Sequence, residues 1–216
     1  MQRDSIDFSS SDVGKLFRRF LFPTVMGMVF SAVFVITDGI FVGRGIGSDA
    51  LASVNIVAPL FTLGTGLGLM FGMGGSVVAS VNLAQGKRRV AQINITQSLV
   101  IPALLIALLS ALLIHCHKPL LLLLGTPPEL MVPAREYLVW FTLFLAPLAV
   151  FNILMFIVRL DGAPRFAMAC NIMAACINIV LDYLFIFVFE WGLAGAAVAT
   201  GIGYVVGSGV ILWYMF

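Results

Sequence analysis

Two aspartates stand inside long apolar stretches of the sequence, where a carboxylate is costly. Asp38 lies in the stretch that begins near Leu16, and Asp182 lies in the stretch that begins near Phe166. An ionisable side chain at the centre of a bilayer costs roughly 2.5–3.5 kcal/mol on insertion scales, so such a residue is a functional candidate by default. An unpaired buried carboxylate holds a proton or binds a cation. Either behaviour is what an ion-coupled carrier requires.

Polar residues also mark one face of the helix expected to carry Asp182. Asn171, Asn178 and Asp182 are separated by seven and four residues, which places them within about 40° of arc on a helix. Hydrogen bonding between helices is the structural interpretation of this stripe, and lining a polar chamber is the functional one. Asn152 and Asn55, on other apolar stretches, are candidates for the same chamber.

Helix arithmetic places three oxygen-bearing side chains at a similar depth. Asp38 and Asp182 lie about 28 Å and about 25 Å of helix beyond the basic residues that precede their stretches. Thr200 lies about 15 Å from the opposite end of its own helix. No Lys or Arg shares this expected depth. The three residues therefore form one candidate site in the outer half of the membrane.

Other kinds of chemistry find little support in the sequence. His115-Cys116-His117 resembles a metal tract, but on a helix the two histidines are rotated by about 200°, so no metal site is predicted. Both histidines of the chain lie at the end of an apolar stretch, which leaves no deep base for an intramembrane serine enzyme. We therefore expect no enzymatic activity and no resident cofactor. The net charge of +2 provides no basic face for nucleic acid.

The elements that position these residues must be transmembrane helices. Apolar residues make up 61% of the 216 positions and charged residues 10%, against about 45–50% and 25% in a soluble domain. A transmembrane helix needs about 20 mostly apolar residues. The predicted fold is an all-α membrane protein, a bundle of six transmembrane helices. The predicted spans are Leu16–Val42, Leu51–Leu83, Leu99–Cys116, Tyr137–Val158, Phe166–Phe189 and Trp191–Phe216.

The distribution of basic residues predicts the orientation of this bundle. With six alternating spans, nine of the twelve Lys and Arg residues fall on one side, and the positive-inside rule makes that side cytoplasmic. Both termini are then cytoplasmic, in a multi-pass protein of the cell (inner or plasma) membrane. Residues 1–14 form a polar cytoplasmic segment and residues 15–216 form the membrane domain, with the lipid bilayer as its solvent.

Glycines are concentrated in the second and sixth spans. The pairs Gly64/Gly68, Gly68/Gly72 and Gly203/Gly207 have the four-residue spacing that lets helices approach closely in lipid. Close helix packing is the simpler interpretation, and a sliding helix in a moving bundle is the alternative. Between spans three and four, Thr126-Pro127-Pro128-Glu129 predicts a capping box that starts a helix leading into span four.

Five motifs in this order resemble the first half of a multidrug and toxic compound extrusion (MATE) transporter of the bacterial and archaeal branch. The resemblance extends from about Lys15 to Phe216. The motifs are Pro23 in span one, Asp38-Gly39-Ile40-Phe41-Val42-Gly43, Leu160-Asp161-Gly162-Ala163-Pro164-Arg165, Asn178-Ile179-Val180-Leu181-Asp182 and Gly195-Ala196-Ala197-Val198-Ala199-Thr200.

The resemblance implies a family of two six-helix lobes that exports organic cations and drugs in exchange for H⁺ or Na⁺. It also implies that Asp38, Asn178, Asp182 and Thr200 form the cation-coupling cluster, which would hold Na⁺ if that is the coupling ion. Pro23 matches the proline at which the first helix bends in some members.

Only one lobe of such a carrier is present. We expect this chain to be part of a longer protein, or to pair with another copy or with a separate second half. A lipid or oligosaccharide flippase of the same superfamily is the alternative transport function, and it would be favoured by a cationic chamber. A truncated chain without activity is the remaining alternative.

Overall fold

The computed structural model describes residues 13–215, and these residues form an all-helical bundle. The helices are α1 (Val13–Gly45), α2 (Ser48–Ala84), α3 (Arg88–His115), α4 (His117–Leu123), α5 (Met131–Leu143), α6 (Leu145–Leu160), α7 (Pro164–Tyr183) and α8 (Gly192–Met215). A 3₁₀ turn, Pro128–Leu130, leads into α5, and a π-helical turn, Leu184–Val188, extends α7. The prediction of a helical membrane bundle is confirmed.

Within the described residues, five helices are long and apolar enough to cross a membrane by themselves: Phe20–Gly45, Ser48–Ala84, Arg88–His115, Pro164–Val188 and Gly192–Met215. A sixth crossing exists if α5 and α6 are counted together, with a bend of 45° between them. The third helix begins at Arg88, well before the predicted Leu99, because its polar first turns carry no hydropathy signal. The second helix has 37 residues, more than the about 20 that one crossing of the bilayer needs.

The fourth predicted span corresponds to two helices with a bend of 45° between them. The helix is interrupted at Phe144, between α5 and α6. Pro147 lies in the first turn of α6, and a proline in a continuous helix would clash with the carbonyl four residues earlier, that of Leu143. The break relieves this clash, so one apolar stretch becomes two helices.

The predicted capping box is also wrong, although a helical segment does begin where it was placed. The Thr126 hydroxyl is buried and has no hydrogen-bond partner among the described residues. The chain enters the segment through extended Pro127, with Pro128 at the first position of a 3₁₀ turn. The fixed φ of proline is compatible with helix entry, and its missing N–H removes a donor that a cap would have to satisfy.

Glycines bring α2 and α6 into close contact, which confirms the packing interpretation. A Cβ added at Gly68 would lie 2.9 Å from the Asn152 Cβ and 3.0 Å from the Ala149 carbonyl oxygen. Gly72 meets the backbone of Ile153 in the same way, at 3.0 Å. On α8, a Cβ added at Gly203 would lie 3.0 Å from the Ala174 carbonyl oxygen of α7. Small residues at these points set how deeply the helices interlock.

The apolar core consists of two clusters along the bundle. One is centred on Leu138 and Leu145 and includes residues from α1 to α6 and from α8. The other is centred on Leu154 and Ile211 and joins α6, α7 and α8. Tyr204 packs against both clusters. The polar residues of the candidate site therefore lie on a scaffold of packed apolar side chains.

Candidate functional site

Asp38 on α1 and Asp182 on α7 face each other across the helix interface. Their carboxyl groups are close enough for one to donate a hydrogen bond to the other when it carries a proton. Asp182 is fully buried, whereas Asp38 is partly exposed. We call these two residues the aspartate pair. The interhelical packing of α1 on α7 thus brings together two carboxyl groups that are 144 residues apart in sequence.

The aspartate pair has almost no hydrogen-bond donors around it. Neither oxygen of Asp182, nor Oδ1 of Asp38, has a donor within the described part of the chain. The Oδ1 atom of Asn178, one helical turn before Asp182, also has no donor there. Unpaired buried acceptors of this kind are costly. A proton or a small cation would satisfy them, because both supply the positive charge that the oxygens lack.

Thr200 completes this cluster from α8. The Asn178 Nδ2 donates a hydrogen bond of 3.1 Å to the Thr200 Oγ1, and both side chains are buried. This bond uses one of the two N–H groups of the Asn178 amide and links α7 to α8. The structure therefore brings Asp38, Asn178, Asp182 and Thr200 together from three helices.

Two cavities adjoin the cluster. The aspartate cavity, about 210 Å³, is lined by Asp38, Asn55 and Tyr137 together with apolar and aromatic side chains. The asparagine cavity, about 300 Å³, is lined by three asparagines: Asn152, Asn171 and Asn178. Thr200 lines both cavities. All three predicted chamber residues thus line one or other of two neighbouring spaces, not a single one.

Asn171 also has the structural role that was weighed against the chamber role. Its Nδ2 donates to the Gly27 carbonyl oxygen at 2.8 Å and to the Ser31 Oγ at 2.9 Å, which ties α7 to α1. Asn152 instead donates to the Leu148 carbonyl of its own helix, at 2.9 Å. The two asparagines therefore contribute differently to packing, although both reach the asparagine cavity.

Pro23 lies buried within α1, which continues unbroken through it. Bending at this proline remains a prediction. Among the described residues no group of three His, Cys, Asp or Glu is placed to hold a metal ion. His115 and His117 lie at the junction of α3 and α4, far along the chain from the aspartate pair.

Two tyrosines near the cluster were missed by the sequence reasoning. Tyr137 is buried and lines the aspartate cavity, while Tyr204 lines the asparagine cavity. Tyr204 follows Thr200 by one helical turn, so the same-face spacing could have revealed it. Tyr137 offered no such signal, because it stands at the start of an apolar stretch where a tyrosine is ordinary.

The comparison with protein families identifies the family of the chain. The family model MatE matches residues 23–184. The chain belongs to the MatE family. The matched region carries both aspartates and Asn178, and it ends just after Asp182.

Relatives and solved structures of the MatE family extend the match almost to the ends of the chain. The multidrug export protein MepA of Staphylococcus saprophyticus is 30% identical and covers 93% of this chain, while the chain covers 45% of MepA. An outward-facing multidrug resistance MATE transporter of the MOP superfamily superposes with a TM-score of 0.88 at 27% identity, covering 95% of this chain and 46% of its own.

A MOP superfamily transporter from Pyrococcus furiosus superposes with a TM-score of 0.88 at 27% identity, covering 95% of this chain and 45% of its own. The binding pocket of that transporter is described as having a reverse polarity that suggests a different function. The chain thus spans about half the length of the curated relatives it matches. It corresponds to one lobe of such a transporter.

Proposed function

We propose that this chain forms the N-terminal half of a secondary antiporter that exports organic cations and drugs in exchange for H⁺ or Na⁺. The observation that carries the proposal is the aspartate pair, whose acceptor oxygens meet without donors beside two cavities. An ion that binds there neutralises the site. A ligand shifts a conformational equilibrium only through different affinities for the two states, and repulsion between two carboxylates supplies such a difference.

The composition of the two cavities favours this function over a lipid or oligosaccharide flippase. Among the residues that the structure describes, no Lys or Arg lines either cavity, whereas Asp38 and aromatic side chains such as Phe61 and Tyr137 line the aspartate cavity. Acidic and aromatic groups attract organic cations. An anionic headgroup or oligosaccharide phosphate would instead require basic donors.

Transport by alternating access also needs a second lobe against which this one moves. We expect that the chain expressed by itself supports little drug efflux, and that supplying a matching second six-helix lobe restores it. Robust efflux by a chain shown to be monomeric would contradict the requirement for a second lobe. It would not contradict the proposed role of the aspartate pair.

The experiment is an efflux assay on this chain together with its second lobe, in membrane vesicles under an imposed H⁺ or Na⁺ gradient. Asp38→Asn and Asp182→Asn should each abolish ion-driven efflux. An amide keeps the shape of the side chain, but it has no negative charge with which to bind H⁺ or Na⁺. Surface expression should remain near normal, since an amide is less costly to bury than a charge.

Asp49→Asn is the matched control, because Asp49 lies in the exposed first turn of α2, away from both cavities. It should pump at the native rate. Native rates of ion-driven efflux in both Asp38→Asn and Asp182→Asn would overturn the proposed coupling. Comparing the two gradients identifies the coupling ion.

A further inference from the structure

A third cavity, of about 390 Å³, lies where α4 meets the start of α5. We call it the interfacial cavity. Its polar lining consists of His117, Lys118, Arg135 and Glu136, and the rest of its lining is apolar. It shares no lining residue with the aspartate cavity or the asparagine cavity. The interfacial cavity is therefore a separate space from the candidate coupling site.

The charges around the interfacial cavity favour an anionic ligand. Lys118 and Arg135 supply two positive charges against one negative charge from Glu136. Only three basic residues fall on the predicted outer side of the bundle, and two of them line this one space. A single surplus positive charge matches a phosphodiester, which carries one negative charge.

His117 lines the interfacial cavity and has a ring nitrogen without a hydrogen-bond partner in the described part of the chain. Its Nδ1 lies 2.9 Å from the Ile114 carbonyl oxygen, and since a carbonyl can only accept, Nδ1 carries the hydrogen. In the neutral ring, Nε2 is then an acceptor. This Nε2 is buried and has no partner among the described residues. A ligand hydroxyl would satisfy it.

The surface around the interfacial cavity is suited to acyl chains. Val132, which lines the cavity, is 75% exposed, and Leu122 and Leu123 at the end of α4 are 65% and 84% exposed. Trp140 lines the cavity and is also exposed. Tryptophan is enriched where a membrane protein meets the headgroup region. A free phosphate would make no use of this apolar surface, whereas a lipid would cover it.

We propose that the interfacial cavity binds an anionic phospholipid whose headgroup carries a hydroxyl, with phosphatidylglycerol as the representative. The phosphate lies between Lys118 and Arg135, and the headgroup hydroxyl donates to Nε2 of His117. The acyl chains follow the exposed side chains of Val132 and Trp140. Glu136 keeps the local surplus at one charge, so that a headgroup with several phosphates is not favoured.

The test is native mass spectrometry of the natural protein in detergent, titrated separately with phosphatidylglycerol, phosphatidylcholine and inorganic phosphate. The double variant Lys118→Gln/Arg135→Gln removes both cationic contacts. At about 1 kcal/mol for each basic side chain near an anionic lipid surface, its affinity for phosphatidylglycerol should fall about 30-fold. The control Lys87→Gln/Arg88→Gln makes the same charge change at the opposite end of α3, on exposed side chains, and should bind as the native protein does.

Preferential binding of phosphatidylglycerol that is lost in the first double variant and kept in the control would support the proposal. Equal affinity for phosphatidylglycerol and phosphatidylcholine would overturn it, and so would equal losses in the two double variants. Binding of inorganic phosphate as tight as that of phosphatidylglycerol would show a free-anion site and refute the lipid assignment.

Discussion

The contact between α2 and α6 gives a quantitative test of the packing. Gly68→Ala places a Cβ 2.9 Å from the Asn152 Cβ and 3.0 Å from the Ala149 carbonyl oxygen. The second of these atoms belongs to the backbone, so a rotamer change cannot relieve the contact and the two helices must separate. Overpacking of this kind typically costs 1–3 kcal/mol.

Gly66→Ala is the matched control, because a Cβ at Gly66 meets nothing within 4 Å. Both substitutions remove a glycine from the interior of the same helix, and each gains about 0.8–1.0 kcal/mol in helix propensity. That gain cancels when the two variants are compared. Gly68→Ala should therefore be less stable than Gly66→Ala by about 1–3 kcal/mol.

Cys170 provides the readout, because its side chain is only 2% exposed in the core of the second cluster. In a background with Cys116→Ser and Cys176→Ser, a thiol-reactive fluorophore reports the unfolding of this region alone. We expect a lower midpoint of thermal or denaturant unfolding for Gly68→Ala than for Gly66→Ala. Equal midpoints would show that the close approach of α2 and α6 does not exist in the protein.

Two further predictions concern orientation and interhelical hydrogen bonding. An impermeant thiol reagent added outside should label Glu129→Cys and should not label Arg88→Cys in a cysteine-free background. The reason is that nine of the twelve basic residues lie on the predicted inner side. Labelling of Arg88→Cys alone would show that the orientation is the opposite of the predicted one. Asn171→Ala should lower the free energy of unfolding by about 0.6–1.7 kcal/mol, because it removes the bond to Gly27 on α1. Asn152→Ala, which loses a bond within its own helix, should cost less, and a larger loss in Asn152→Ala would contradict this account.

The elements of the fold could be predicted because their signals are local. Apolar runs about as long as a bilayer is thick give the membrane helices, since lipid leaves the backbone no other way to satisfy its hydrogen bonds. The four-residue spacing of Gly64, Gly68 and Gly72 is also a local signal, and it indicated close helix packing. What hydropathy could not show was the break at Phe144. Pro147 signals it, but a proline in an apolar run is tolerated in many membrane helices.

The candidate site was likewise predicted in part from the sequence, and the rest required the tertiary structure. Periodicity and the cost of burying a carboxylate were enough to single out Asp38, Asn178 and Asp182, because both are properties of one helix in an apolar solvent. Whether the two carboxyls face each other depends on how α1 and α7 are rotated about their axes, and hydropathy does not fix that rotation. The glycine contacts and the Asn171 bond to α1 contribute to setting it.

The remaining features depend on contacts between residues far apart in the chain. Only the tertiary structure divides the polar residues between two cavities and places Tyr137 beside Asp38. It also brings Lys118 and Arg135, which two different helices carry, to one cavity. The sequence determined by itself which side chains are too polar for lipid. Their partners were decided by the packing of the helices, because packing selects among many arrangements that bury the same apolar surface equally well.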